Sequence, residues 1–81
     1  MKKEAAEFIV RASLKATSDI TVLIPFVREH AENDEEYERY RKAMTAIVRM
    51  ASEQIFSPLF TEHPEIDKEI ENILSKFGRL P

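Results

Sequence analysis

A single glycine in 81 residues, at position 78, constrains this chain more than any other feature. Glycine supplies the positive φ angles of tight hairpins and bulges, and lets backbone close around phosphates. A chain that reaches residue 77 without one has few of those devices. Gly-rich nucleotide loops and Gly-X-Ser-X-Gly nucleophile turns are excluded outright. Turns have to come from Asn, Asp, His and Pro instead, and such a chain is expected to be helical.

The periodicity agrees. Over residues 3–17 the apolar positions Ala5, Phe8, Ile9, Ala12 and Ala16 are spaced for one helix face. The next stretch, 17–25, is rich in β-branched residues, which favours a strand. However, Ile20, Leu23, Ile24 and Val27 keep the helical period, and no other segment alternates to pair with a strand. Helix is therefore expected. Two versions stay open: a separate helix over 19–31 capped by Ser18 or Asp19, or one helix from 3 to about 31 kinked at Pro25. The first is the working expectation.

Asn33-Asp34-Glu35-Glu36 marks the clearest boundary. Asn33 and Glu36 have capping-box spacing, and the acids suit a helix N-terminus. The helix that follows, 34–57, carries a stripe of Tyr37, Tyr40, Met44, Ile47, Val48, Ala51, Ile55 and Leu59. Ala43, Ala46 and Met50 form a second apolar face, and Phe56 and Phe60 lie off the stripe. Pro58 removes one rung of the ladder and should bend or end the helix near Ser57. Pro64 suits the first position of a last helix over 64–77, with Ile66, Ile70, Ile73, Leu74 and Phe77 on its apolar face. Gly78 and Pro81 then stop it. The expectation is a single all-α domain, 1–81: a small three- to four-helix bundle, bent or broken at Pro25 and Pro58.

Composition narrows the function. There are 15 acidic and 12 basic residues, for a net charge of −3, so bulk charge gives no reason to expect nucleic acid or an anionic membrane as partner. The longest nearly unbroken apolar run, Val22 to Val27, is too short to span a bilayer, and Glu4, Glu7, Arg11 and Lys15 interrupt any signal-peptide pattern. The chain has no cysteine, which excludes thiolate chemistry and disulfides and suits a cytoplasmic location.

Two tetrads, Glu29-His30-Ala31-Glu32 and Glu62-His63-Pro64-Glu65, share the pattern Glu-His-X-Glu. Carboxylate and imidazole together can hold zinc, iron or manganese. Neither tetrad has the three-residue Glu–His spacing of helical carboxylate metal sites, and both fall at helix ends. Solvated boundary residues are the expected reading of Glu29, His30, Glu62 and His63, with no metal, cofactor or catalytic residue. Arg39, Arg41, Lys42 and Arg49 share their helix with Glu35, Glu36, Glu38 and Glu53, which reads as a salt-bridged solvent face.

The pattern most in need of explanation is the amount of apolar helix surface for so short a chain. Met50, Phe56, Leu59, Phe60, Tyr37 and Tyr40 are the expected interface residues. The leading expectation is a non-catalytic protein–protein interaction protein, homodimeric, because an 81-residue domain covers two faces of a long helix with difficulty. The alternative is a small acidic inhibitor or immunity-type protein that presents Glu29, Glu32, Asp34, Glu35 and Glu36 to a basic target.

Overall fold

The structure, a computed structural model, describes residues 1–77. All regular structure in this span is helical, and three helical rods pack against one another. The first is α1, Lys3–His30. The second starts as α2, Asp34–Ala51, passes through a π-helical turn, Ser52–Phe56, and continues as α3, Ser57–Glu62. The third is α4, Pro64–Phe77. Gly78 and Pro81, read as the stop of the last helix, lie outside the described residues.

The break expected near residue 18 is absent, and α1 runs for 28 residues. Ser18 caps nothing. The local threonines bond back into the helix instead: Thr17 Oγ1 donates to the Ser13 and Leu14 carbonyls at 2.9 and 3.1 Å, and Thr21 Oγ1 to the Thr17 carbonyl at 2.9 Å. These bonds satisfy the hydroxyls without ending the helix. Pro25 also sits inside α1. It deprives the Thr21 carbonyl of its usual donor. Thr21 and Pro25 are both exposed, so water can take the donor's place.

Pro58 does not end its helix either. The Ser57 N–H donates to the Ser52 carbonyl, five residues back, and Pro58 follows at the start of α3. A proline ring clashes with the carbonyl four residues before it, and the wider π turn immediately upstream gives that carbonyl room. The rod therefore continues to Glu62, five residues beyond the expected end.

Both turns are built as the sequence implies. The Asn33 side chain accepts from the Glu36 N–H at 2.8 Å, so Asn33 caps α2. Glu36 reaches back at 3.3 Å to the N–H of Glu32, one residue beyond the partner a strict capping box would use. At the other end His63 ends α3, donating its N–H to the Leu59 carbonyl at 2.8 Å, and Pro64 opens α4.

The three-residue turn at Ala31–Asn33 makes α1 and the α2–α3 rod an antiparallel hairpin. Its far end is pinned where His63 Nε2 meets the Met1 carbonyl at 2.8 Å and Glu62 meets the Met1 amino group at 2.6 Å. Among the described residues, only that end receives a third helix. At 1.5 Å per residue α1 is about 42 Å long and α4 about 21 Å. The core accordingly gathers there: Ala6 and Val10 of α1, Leu59 of α3, and Ile66 and Ile70 of α4 are buried, with Ile9, Leu14, Ile55, Phe56 and Phe60 packed against them.

The face of α1 that reads as apolar is the one left outside. Ala5, Phe8, Ala12 and Ala16 are exposed, with only Ile9 of that set half-buried. Ala6 and Val10 take the core position. Phe8 lies about 160° around the helix from each of them. The true core side continues through Ser13, Leu14 and Thr17, where the hydroxyl residues interrupt its apolar reading. Thr17 can sit half-buried because its hydroxyl is satisfied by the helix itself.

Candidate interaction surface

The half of the hairpin beyond the reach of α4 has only two helices to cover it. Val22, Leu23 and Phe26 of α1 and Tyr40 and Ile47 of α2 are exposed there, and Phe8 and Met50 are exposed nearer the α4 end. Fractional exposure reaches 74% at Phe8, 70% at Val22 and 57% at Phe26. Single exposed apolar residues are ordinary, but this many large ones on two helices of a small chain suit a partner surface. Between the two helices near the turn lies an open apolar groove of about 350 Å³, lined by Leu23, Phe26, Val27, Ala31, Tyr40 and Met44 among others.

The expected interface residues separate into two groups. Tyr40 and Met50 are on the exposed surface. Tyr37 is half-buried, with the Arg28 guanidinium 5.1 Å from its ring centre, a cation–π contact that ties the helices beside the turn. Leu59 is a core residue, and Phe56 and Phe60 pack against the same core with ring centres 6.0 Å apart. Because α4 folds back over the end of the rod, Leu59 is buried within the chain, while Phe56 and Phe60 stay half-buried. Phe8 and Ile47, read from spacing only as members of apolar helix faces, also stand in solvent.

The two Glu-His-X-Glu tetrads sit at opposite ends of α1. His30 is at its C-terminus, exposed and in tilted contact with the Phe26 ring, with ring centres 4.3 Å apart. His63 contacts Met1 at the other end. About 42 Å of helix separates them, so they cannot share an ion. Around His63, Glu62 and Glu65 approach the two ring nitrogens at 3.5 Å each. Among the described residues no group of three or more His, Asp or Glu is placed to hold a metal, and neither histidine bonds a serine hydroxyl.

Charge on the surface is local and mixed. Arg41 forks onto Glu38 through bonds of 2.7 to 3.2 Å, which hold that carboxyl below its ordinary range and raise the guanidinium. The hydrogen bond from the Met1 amino group lowers Glu62, and its own backbone N–H lowers Glu65. At the turn, Glu29, Glu32, Asp34 and Glu35 are exposed, but Arg28 shares a hollow with Glu32 and Asp34, and Arg39 and Lys42 share another with Glu35. The tip is not an unbroken acidic patch.

No described helix is long and apolar enough to cross a membrane. No family model matches the chain, no curated protein matches it, and no solved structure matches its fold.

Proposed function

We propose that this chain is a non-catalytic interaction protein that self-associates, with the exposed apolar face of its helical hairpin as the contact surface. The observation that carries the reading is the run of Phe8, Val22, Leu23, Phe26, Tyr40, Ile47 and Met50 across α1 and α2. Its extent supports the same reading. The chain leaves 6233 Å² accessible, against about 5,000 Å² for a compact monomer of its mass. That excess is of the same order as the ~800 Å² each partner contributes to a standard interface. The Cα radius of gyration, 14.9 Å, likewise exceeds the ~12 Å of a compact chain this long.

Light scattering behind a sizing column, at about 10 and 200 µM, tests the proposal. The expected mass is twice 9.4 kDa at the higher concentration. A monomer at both would overturn self-association. Weight would then move to a second reading, an acidic inhibitor, supported by the exposed carboxylates of Glu29, Glu32, Asp34 and Glu35 although Arg28, Arg39 and Lys42 interrupt them. Complexes steered by those charges would weaken steeply with salt, whereas an apolar dimer would not.

A further inference from the structure

The outward stripe of α1 has an order that reads the same from either end. Glu4, Phe8, Ala12, Lys15, Asp19, Val22, Phe26 and His30 follow one another in steps of 4, 4, 3, 4, 3, 4 and 4, and all eight are exposed. Such steps keep a set on one side of a helix. A stripe whose spacing is symmetric about its centre, at the level of Thr17, can meet a second copy of itself running the opposite way, with every position facing a position of the same stripe. Two-fold interfaces require this property.

The chemistry of the facing positions also matches. In that register Phe8 meets Phe26 of the second copy, Ala12 meets its Val22, and Lys15 meets its Asp19. Glu4 and His30 face each other at the ends. Apolar residues oppose apolar residues, a small one opposes a branched one, and the two central charges oppose their opposites. Every pairing occurs twice by symmetry. Lys15 and Asp19 form no ion pair among the described residues. Their order within the helix, base before acid, is also the weaker one for pairing four apart. Ala12 permits close approach of the two backbones, and the paired phenylalanines would bury four rings per dimer.

Building on the self-association proposed above, we infer that α1 is an isologous dimerisation helix, packed antiparallel on its counterpart with the two-fold axis at the level of Thr17. Phe8 and Phe26 are the apolar anchors, and the Lys15–Asp19 pairs set the register. Self-association supplies the affinity, and the stripe specifies which face is used and in which alignment.

Cysteine pairing gives a direct test, since the native chain has no cysteine. The Ala12→Cys, Val22→Cys double variant is oxidised at a concentration where the native protein dimerises. Within one chain the two positions are about 15 Å apart along α1, beyond the reach of a disulfide. The inference expects a covalent dimer on a non-reducing gel from the double variant. Each single variant should stay uncross-linked, because like positions in the two copies would also lie about 15 Å apart. A native dimer whose double variant fails to cross-link, or whose single variants cross-link equally well, would overturn the register while leaving self-association standing. A native monomer throughout would remove both.

A charge exchange provides an independent arm. Lys15→Asp should weaken dimerisation about tenfold by placing like charges opposite each other twice, and adding Asp19→Lys should restore most of it. No recovery in a double variant with native helical circular dichroism would overturn the pairing.

Discussion

The two ends of this molecule are made of the same helices and differ in what covers them. Where α4 docks, Ala6, Val10, Leu59, Ile66 and Ile70 close into a buried core. Beyond its reach, Val22, Leu23, Phe26, Tyr40 and Ile47 belong to an equally apolar hairpin and stand in solvent. The contrast shows that amphipathic helices alone do not make a core. Two rods leave more than half of each circumference open, and a third rod is needed to close the volume between them. Stability should therefore be concentrated at the three-helix end, with the two-helix end left available for contacts.

The strongest way to break that contrast is to hollow the closed end. Ile66 is fully buried, and Ile66→Ala should cost about 3 kcal/mol in a urea melt, a large share of the roughly 4–12 kcal/mol expected for a chain this size. The matched change at the open end, Phe26→Ala, should cost under about 1 kcal/mol at concentrations where the chain is monomeric. Equal losses would mean that the two ends are held alike.

Removing the proline at the open end should act with the opposite sign. Pro25 is exposed in the interior of α1, and Pro25→Ala restores a donor to the Thr21 carbonyl. A stabilisation of about 1–3 kcal/mol is expected, read as a rise in thermal midpoint and as slower amide exchange around residues 21–29. A fall in stability would show that the proline is required by the packing.

The Asn33 cap is a smaller contribution at the same end. Asn33→Ala removes the acceptor at 2.8 Å from the Glu36 N–H and should cost about 1 kcal/mol. If the contrast holds, amide protection should fall first at the start of α2 and last around Leu59 and Ile66.

The smallest effect concerns acid. Glu38, Glu62 and Glu65 all have their carboxyl pKa lowered in the folded chain, by the Arg41 bond, the Met1 amino bond and a backbone N–H respectively. A lowered folded pKa stabilises above the unfolded value and is lost as pH falls through the folded one. Thermal midpoints should therefore be flat near neutrality and decline modestly below the ordinary carboxylate value of 4.5. Glu62→Gln should remove only its own share. A decline centred near neutrality would contradict this assignment.

Much of the fold was legible in the chain. Asn33 caps where its spacing with Glu36 suggests, Pro64 opens the last helix, and Ile66 and Ile70 bury as their period implies. These features are local, depending on neighbours within one turn. The candidate surface was less legible. Met50 and Tyr40 were identifiable as apolar residues that a short chain would struggle to cover, but the period of Phe8 and Ile47 did not tell whether their faces would be covered. Leu59 with Phe56 and Phe60 looked like interface. Pro58 looked like a helix end because a proline's clash can be read from sequence, whereas the π turn that relieves it cannot.

The sequence by itself determined that the chain is helical, where its two sharp turns lie, and that the helix after Asn33 has apolar residues on two sides. Helical period, capping chemistry and the near absence of glycine are properties of the chain alone. Only the tertiary structure decided which side of α1 becomes core. Val10 is buried and Phe8 exposed two residues away because Ile66 and Ile70 dock on one side. Periodicity identifies a face, but burial depends on another element arriving to cover it, and the length of α4 decides how far that cover extends.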